Sequence, residues 1–416
     1  VNLLCSECGQ PAASEAIFCA ECGGLLAFAT FAPVPGHAAP DRDRLAARRA
    51  STDLRDRSGV WRYRELLPEI PFEGIVTLGE GDVPLYDGPR GAEYARVDRL
   101  AYLHLGMNPT ASFKDAGMTV AVSRAVATGA RVAICASTGN TSASLSAYAS
   151  RAGIHAVVLV PSTGISESKV AQTLDYGATV VAIEGDFDAA LATVRAQDPK
   201  RIAIVNSVNP YRIEGQKTVA FVLLEQRRWR VPDWVIVPGG NLGNTSALGK
   251  GFREALALGW IDRLPRLVTV QASGAAPFSR AFATGGELVP VHAQTTASAI
   301  KIGAPASWRK AKAEILAHRG TVTDVDDDAI ADARAIVGRD GVGCEPASAA
   351  TLAGLRQLVA GGTIGAGDDI VLVLTGHVLK DTAYAAHYHE SGAAFANRIV
   401  RGADPADVIE RLTAPA

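Results

Sequence analysis

Short runs of Val, Ile, Leu and Ala alternate along this chain with longer stretches whose apolar residues recur at helical spacing. Arg131–Ala136 reads as a strand leading into a helix over Thr141–Arg151, and His155–Pro161 as a strand leading into a helix over Ser166–Tyr176. Thr179–Ile183 and Ile202–Asn206 add two strands, and Trp234–Pro238, Leu267–Gln271 and Ile370–Leu374 continue the pattern in the second half. Such short, uniformly apolar runs suit strands buried on both faces, so the alternation predicts an α/β chain with mainly parallel sheets covered by helices. Ligands of such folds gather at the carboxyl ends of the strands, where this chain places its glycine-rich loops. No run approaches the ~20 apolar residues of a membrane span, and no membrane partner is expected. Phe31–Pro40, rich in Ala and Pro, reads as a linker, and the densely charged Asp41–Arg57 predicts a solvated helix.

At 416 residues there is room for two domains. The 41 basic and 43 acidic side chains leave a formal charge of −2, which gives no electrostatic reason to expect nucleic acid. The first residues lack a charged n-region and a long apolar stretch, which makes the cytoplasm the expected location.

Four of the six cysteines fall in two knuckles, Cys5-x-x-Cys8 and Cys19-x-x-Cys22, followed by Gly9 and Gly23. Thiolates at this spacing close a tetrahedral Zn²⁺ site, and the glycines permit tight turns beneath the sulfurs. Two disulfides are the competing reading, disfavoured without an export signal. The knuckles predict a structural clip for a segment too short to own a core. Cys135 and Cys344 read as packing residues.

The chemistry centres on Asn108-Pro109-Thr110-Ala111-Ser112-Phe113-Lys114-Asp115. A Schiff-base lysine must be held still, kept from bulk water and able to lose its proton. Phe113 supplies apolar cover, Ser112 and Asp115 can fix the backbone, and a turn at Asn108-Pro109 precedes a helical run over Met118–Ala127. An ordinary capped helix start is the competing reading. Gly240-Asn241-Leu242-Gly243-Asn244 lies between the strand ending at Pro238 and a helix over Ser246–Ala257, the context of a phosphate-binding turn.

The Lys114 segment resembles the Pro-Thr-Gly-Ser-Phe-Lys-Asp-Arg-Gly signature of threonine synthases, which use pyridoxal 5'-phosphate (PLP) and belong to PLP fold type II, the tryptophan synthase beta-like superfamily. Similar segments follow in the family's order from about Gly79 to Asp381: Gly79-Glu80-Gly81, Ala136–Ser144, Asn206–Lys217, Pro238–Asn244, Ile302–Trp308, Cys344–Ser348 and Leu374–His377. The resemblance implies two domains, each with a mainly parallel twisted sheet: a larger PLP domain from 79–110 and 210–385, and a smaller one from 111–209. Residues 1–30 form a zinc-ribbon-like extension, 31–78 a linker and N-terminal extension, and 386–416 a C-terminal extension.

By the same resemblance Lys114 carries PLP and shuttles protons, and Gly240, Asn241, Leu242, Gly243 and Asn244 hold its phosphate. Asn140 meets the ring hydroxyl and Thr375 the pyridine nitrogen, although Thr375 also reads as a strand-end cap. Asn206, Ser207 and Arg212, with Thr141 and Asn241, receive the substrate phosphate, and Ser137 and Thr138 its α-carboxylate. A surface salt bridge with Glu214 is the competing reading of Arg212.

The implied activity is that of a carbon–oxygen lyase: γ-elimination of phosphate from O-phospho-L-homoserine, then addition of water at Cβ to give L-threonine. The family also implies a homodimer. The family's arginine after Lys-Asp is Ala116 here, a common loop lysine is Gly164 with Lys169 nearby, and the glycine after Thr-Gly-His is Val378. Those departures keep open a replacement enzyme acting on another phosphorylated or acylated amino acid, as cysteate synthase does. A PLP-binding scaffold without catalysis is a third reading.

Overall fold

Alternate residues of the strand Asp369–Leu374 face two different cores, and the molecule is layered around that division. Val371 and Val373 pack into one cluster with Val235, Val237 and Phe221. Ile370, Leu372 and Leu374 pack into another with Tyr102, Ile236 and Val270. A strand buried on both faces must be apolar at every buried position, and this one is from Ile370 to Leu374. The computed structural model describes residues 2–31, 40–162, 167–185, 187–199, 201–397, 399 and 409.

Asp369–Leu374 lies inside a six-stranded sheet ordered Thr321–Val325, Arg266–Ala272, Trp234–Pro238, Asp369–Leu374, Arg99–His104, Leu85–Asp87. Only the last pairing is antiparallel. A second sheet, parallel throughout, is ordered Thr179–Ile183, His155–Pro161, Val132–Ala136, Ala203–Ile204. The run expected over Ile202–Asn206 contributes only two strand residues, because the side-chain amide of Asn206, not its backbone, pairs with Ala136.

Between the sheets runs the helix Pro210–Gln226, buried from Pro210 to Leu224. It crosses the helix Lys114–Ala127 closely: a Cβ on Gly215 would stand 1.9 Å from the carbonyl oxygen of Ala116. Ala116 is fully buried in the main core at this crossing.

Antiparallel strands Leu3–Cys5 and Leu26–Phe28 frame the N-terminal knuckles. Gly9 and Gly23 take left-handed φ values of +75° and +70°, the turns that the sequence reserved for glycine. The charged stretch Asp41–Arg57 departs from the expected single solvated helix. It forms Arg42–Arg49 and Leu54–Arg57, each capped by an aspartate side chain, Asp41 and Asp53. Leu45 and Arg48 are buried, since Arg48 finds both the Glu65 carboxylate and the Arg62 carbonyl inside.

Most of the expected linker falls at 32–39, outside the described residues, as does most of the chain beyond 397. The helix Thr382–Glu390 is docked through Tyr388, whose hydroxyl donates to Asp332 at 2.7 Å. Among the described residues no helix is long and apolar enough to cross a membrane.

Candidate active site

The helix bearing Lys114 begins at Lys114 itself, four residues before the expected Met118. Its first turn is held by tertiary bonds. Asp115, fully buried, accepts from the Thr110 amide, the Thr110 hydroxyl and the Ser144 hydroxyl at 2.5–2.7 Å. Ser112 Oγ accepts from the Lys114 amide at 3.4 Å. Both residues therefore fix the backbone, as their positions suggested. Ala111, just upstream, has φ of +63°, a conformation that favours glycine.

Lys114 is half-buried, and its amine makes no hydrogen bond or ion pair among the described residues. It lies 4.2 Å from the centre of the Phe113 ring. Loss of water around it, seconded by the charge of Arg212, brings its pKa down to about 7; Glu345 pulls weakly the other way. An amine so placed is nucleophilic near neutrality.

Glu345 joins residues that the sequence left separate. This buried carboxyl accepts from Asn140 Nδ2 at 3.0 Å and from Thr375 Oγ1 at 3.1 Å. Burial raises its pKa. Ser348 Oγ accepts from the backbone amides of Thr375 and Gly376 at 2.8 and 3.1 Å. Sequence reasoning named the Cys344–Ser348 segment but gave neither residue a role. The available signal was Glu-Pro at a helix start, since Pro346 opens the helix Pro346–Ala360.

The glycine-rich turn leads into the helix Gly243–Ala257, with Leu242 at φ +64° as its cap. Asn241 spends its side chain on bracing: it donates to Ser207 Oγ and accepts from the Ala306 amide. Among the described residues both side-chain polar atoms of the buried Asn244 lack a hydrogen-bond partner, and so does the buried hydroxyl of Ser307. A Cβ on Gly243 would lie 3.9 Å from that hydroxyl. Gly240 sits under Ala299 and Ile300, where an added Cβ would lie a tight 3.1 Å from the Ala299 carbonyl oxygen and 3.3 Å from Ile300 Cα.

Arg212 is fully buried, against the reading of a surface salt bridge. Glu214 is engaged by Lys217 and Lys250 instead. One guanidinium nitrogen donates to the Val205 carbonyl at 3.1 Å, while Nε and Nη2 have no hydrogen-bond partner among the described residues. Desolvation lowers its pKa to about 10. Unsatisfied buried donors at Arg212, Asn244 and Ser307 suit a ligand that brings acceptors, as a phosphate does.

Ser137 and Thr138 are half-buried at the end of Val132–Ala136, and Thr141 is half-buried in the first turn of Asn140–Ala152. Thr138 and Thr141 make no side-chain hydrogen bond among the described residues, whereas Ser137 Oγ accepts from the Gly139 amide. Asn206 is buried and fully used on Ala136, at 3.1 and 3.2 Å. Val378 packs against Gly343, whose added Cβ would meet it at 2.6 Å. Gly164 and the Lys169 side chain lie outside the described residues. Cys135 and Cys344 are buried, with thiols pushed up to about 12 by desolvation.

The four knuckle sulfurs lie within 4.8 Å of one another. Neighbouring pairs stand at 3.5–3.6 Å. Four sulfurs at ~2.3 Å from a central zinc would be separated by about 3.8 Å, so the cluster has the size of a Cys₄ site.

Residues 76–376 match the family of pyridoxal-phosphate dependent enzymes. The threonine synthase of Methanosarcina acetivorans is 43% identical over 387 residues, 91% of this chain and 92% of that protein. The threonine synthase of a Synechocystis species is 46% identical over 334 residues, 80% of this chain and 85% of that protein. Among solved structures, threonine deaminase isoform 2 from Solanum lycopersicum superposes with a TM-score of 0.65 at 18% identity, covering 87% of this chain and 98% of its own. Diaminopropionate ammonia lyase from Escherichia coli does so with 0.65 at 16%, covering 77% and 90%. At that identity the structural likeness shows the fold alone, PLP fold type II. With the sequence likeness extending over nine-tenths of its length, the chain belongs to the threonine synthase family of pyridoxal-phosphate dependent enzymes.

Proposed function

We propose that this chain converts O-phospho-L-homoserine and water to L-threonine and phosphate, with Lys114 as its cofactor-bearing lysine. The observation that carries this reading is Arg212, a buried guanidinium with two unpaired nitrogens in a protein whose candidate lysine is tuned to about 7. A buried cation without a carboxylate is costly unless an anionic ligand completes it. In this reading Arg212 and Ser207 receive the substrate phosphate, with Thr141 beside them. Asn206 and Asn241 act one step back: their amides are spent on Ala136 and on Ser207 and Ala306, so they hold the strand end and the glycine turn in place.

The orphaned Asn244 and Ser307 atoms beside the Gly240–Asn244 turn fit the phosphate of PLP, and Asn140 and Thr375 fit its ring, both braced by Glu345. PLP, when bound, supplies an electron sink for negative charge at the substrate carbons. Lys114 Nζ takes the proton from Cα and, as the reaction proceeds, moves protons at Cβ and Cγ. Phosphate leaves from Cγ and the hydroxyl of water adds at Cβ, which balances to threonine and phosphate. Ser137 and Thr138, near the free amides that open helix Asn140–Ala152, receive the α-carboxylate.

The four thiols of Cys5, Cys8, Cys19 and Cys22 hold a structural Zn²⁺ in this reading, a state that suits the reducing cytoplasm. The test is turnover by the purified, PLP-loaded protein. Equimolar phosphate and threonine from O-phospho-L-homoserine are expected, and cofactor-loaded protein that releases neither overturns the assignment. Arg212→Ala should chiefly raise KM.

A further inference from the structure

Ser14, midway between the two cysteine knuckles, touches both helices that carry the central chemistry. Its carbonyl accepts from the Tyr211 hydroxyl at 3.0 Å, and Tyr211 is the residue before Arg212. Its own hydroxyl accepts from Arg124 at 3.0 Å, and Arg124 lies on the helix that begins at Lys114. The Arg124 guanidinium in turn stands 5.5 Å from the centre of the Tyr211 ring.

Further contacts run from the knuckle to the same arm. Phe28, on the strand after the second knuckle, meets the Tyr211 ring edge-on at 4.9 Å. Its carbonyl accepts from Lys250 at 2.8 Å, and Lys250 pairs with Glu214, two residues past Arg212. Ile17 is buried against Ile134, Ala136, Ile204 and Val208, the strands and turn that lead into that arm.

Arg212 itself has little to aim it. A single hydrogen bond to Val205 fixes one nitrogen, and the other two have no hydrogen-bond partner among the described residues. Its direction therefore depends on the backbone of the first turn of Pro210–Gln226. That turn is capped from inside by Asn209 and gripped from outside by the knuckle through Tyr211.

We propose that the knuckle, closed by a metal on its four thiolates, is a positioning device for Arg212, so that affinity for the phosphorylated substrate depends on a metal that touches no reacting atom. Tyr211 is the positioning residue that transmits the effect. With the thiolates released, Ser14 and Phe28 lose their fixed places, the Tyr211 hydroxyl loses its acceptor, and the turn beneath Arg212 loosens. This rests on the reading of Arg212 as the substrate-phosphate donor.

The test uses full-length, PLP-loaded protein in three forms, Tyr211→Phe, Cys8→Ser and Arg212→Ala. Tyr211→Phe deletes only the hydroxyl and keeps the metal, while Cys8→Ser removes an exposed ligand. KM and kcat are measured alongside metal content, the visible absorbance of bound cofactor, and direct binding of inorganic phosphate by calorimetry. Both Tyr211→Phe and Cys8→Ser should raise KM and the phosphate Kd about 3- to 10-fold, the worth of one hydrogen bond or slightly more. Cofactor absorbance and kcat should hold. Should Cys8→Ser fail to fold, chelation of the wild-type protein replaces it.

A clip that only stabilises would lower the melting temperature and leave KM and phosphate Kd where they were, and that outcome overturns the proposal. If Arg212→Ala alone weakens phosphate binding, the positioning role fails and the substrate reading stands. If Arg212→Ala changes nothing either, the substrate reading has failed first.

Discussion

The backbone amide of Phe113 donates to the carbonyl oxygen of Thr375 across 2.8 Å, which makes the turn before Lys114 and the end of a central strand one backbone unit. Ser112 and Gly376 form a β-bridge beside it, and the His377 amide donates to Ala111 at 3.1 Å. The lysine and the strand-end hydroxyl are thereby spaced by backbone bonds, which hold position better than side chains do.

Lys114 provides a pH signature in the cofactor-free protein. Its folded pKa of about 7 lies below the ordinary 10.5, so between those values the unfolded chain binds more protons and stability rises with pH. Lys114→Met should stabilise the cofactor-free protein at neutral and lower pH by about 2 kcal/mol, allowing for solvent screening of a half-buried group. Chemical denaturation of both proteins at pH values on either side of 7 reads the gap. A gap that fails to narrow on the alkaline side would show that the amine keeps its ordinary pKa. In the same variant the visible absorbance of PLP bound through the lysine should vanish.

Ala111 stands where the family signature has glycine, and its φ of +63° explains the preference. A left-handed alanine costs about 1–2 kcal/mol, while glycine costs about 0.4–1 kcal/mol through the unfolded chain. Ala111→Gly should therefore gain about 0.5–1 kcal/mol, measurable as a raised denaturation midpoint with unchanged slope. A loss of stability would mean that the Ala111 methyl contributes packing that outweighs its strain.

How much of this was legible follows from the range of each interaction. The knuckles were, because four cysteines and two glycines set their own turns within a few residues. The strands Trp234–Pro238 and His155–Pro161 fall where their apolar runs placed them: the first is buried at every position and the second over most of its length, and burial writes itself into the sequence. The start of the Lys114 helix was misplaced because Asp115 is tied to Thr110 and Ser144 in its first turn, and Ser144 lies on another helix. The burial of Arg212 was out of reach for the same reason: Glu214, two residues on, looked available, but Lys217 and Lys250 had claimed it. The bond between Asn140 and Glu345 joins the starts of two helices 205 residues apart in the chain, and only the topology brings them together.

Glu345 offers a test of that junction. Its carboxyl pKa is raised by burial, so the folded protein holds the proton more tightly than the unfolded chain and the group costs stability as pH rises above its ordinary 4.5. Glu345→Gln, a neutral isostere, should match or exceed wild-type stability near neutrality and lose that advantage in acid. Glu345→Ala should cost about 1–2 kcal/mol, because it leaves Asn140 Nδ2 without its acceptor and Thr375 Oγ1 with Ser348 alone. Equilibrium titration with PLP should find weaker binding in the alanine variant. Equal PLP affinity in all three proteins would remove Glu345 from any role in presenting those two side chains.

The buried charges behind the site make the last prediction. Lys217 donates to Glu214 at 2.6 Å, lies 2.8 Å from Glu254 and donates to the Leu66 carbonyl at 2.7 Å, while Lys250 joins Glu214 to Phe28. Glu254 also accepts from the Phe31 amide at 3.0 Å. Two cations and two anions thus balance in the core and tie the N-terminal segment to helices Pro210–Gln226 and Gly243–Ala257. Lys217→Met leaves two buried carboxylates to one lysine and should destabilise by about 3–5 kcal/mol. Lys217→Met combined with Glu254→Gln restores the balance and should recover a large part of that loss, a coupling that a double-mutant cycle measures. Amide exchange over Phe28–Phe31 should quicken in the single variant and slow again in the double. If the two substitutions simply add, the four charges do not act as one network, and the N-terminal segment is held by its apolar contacts alone.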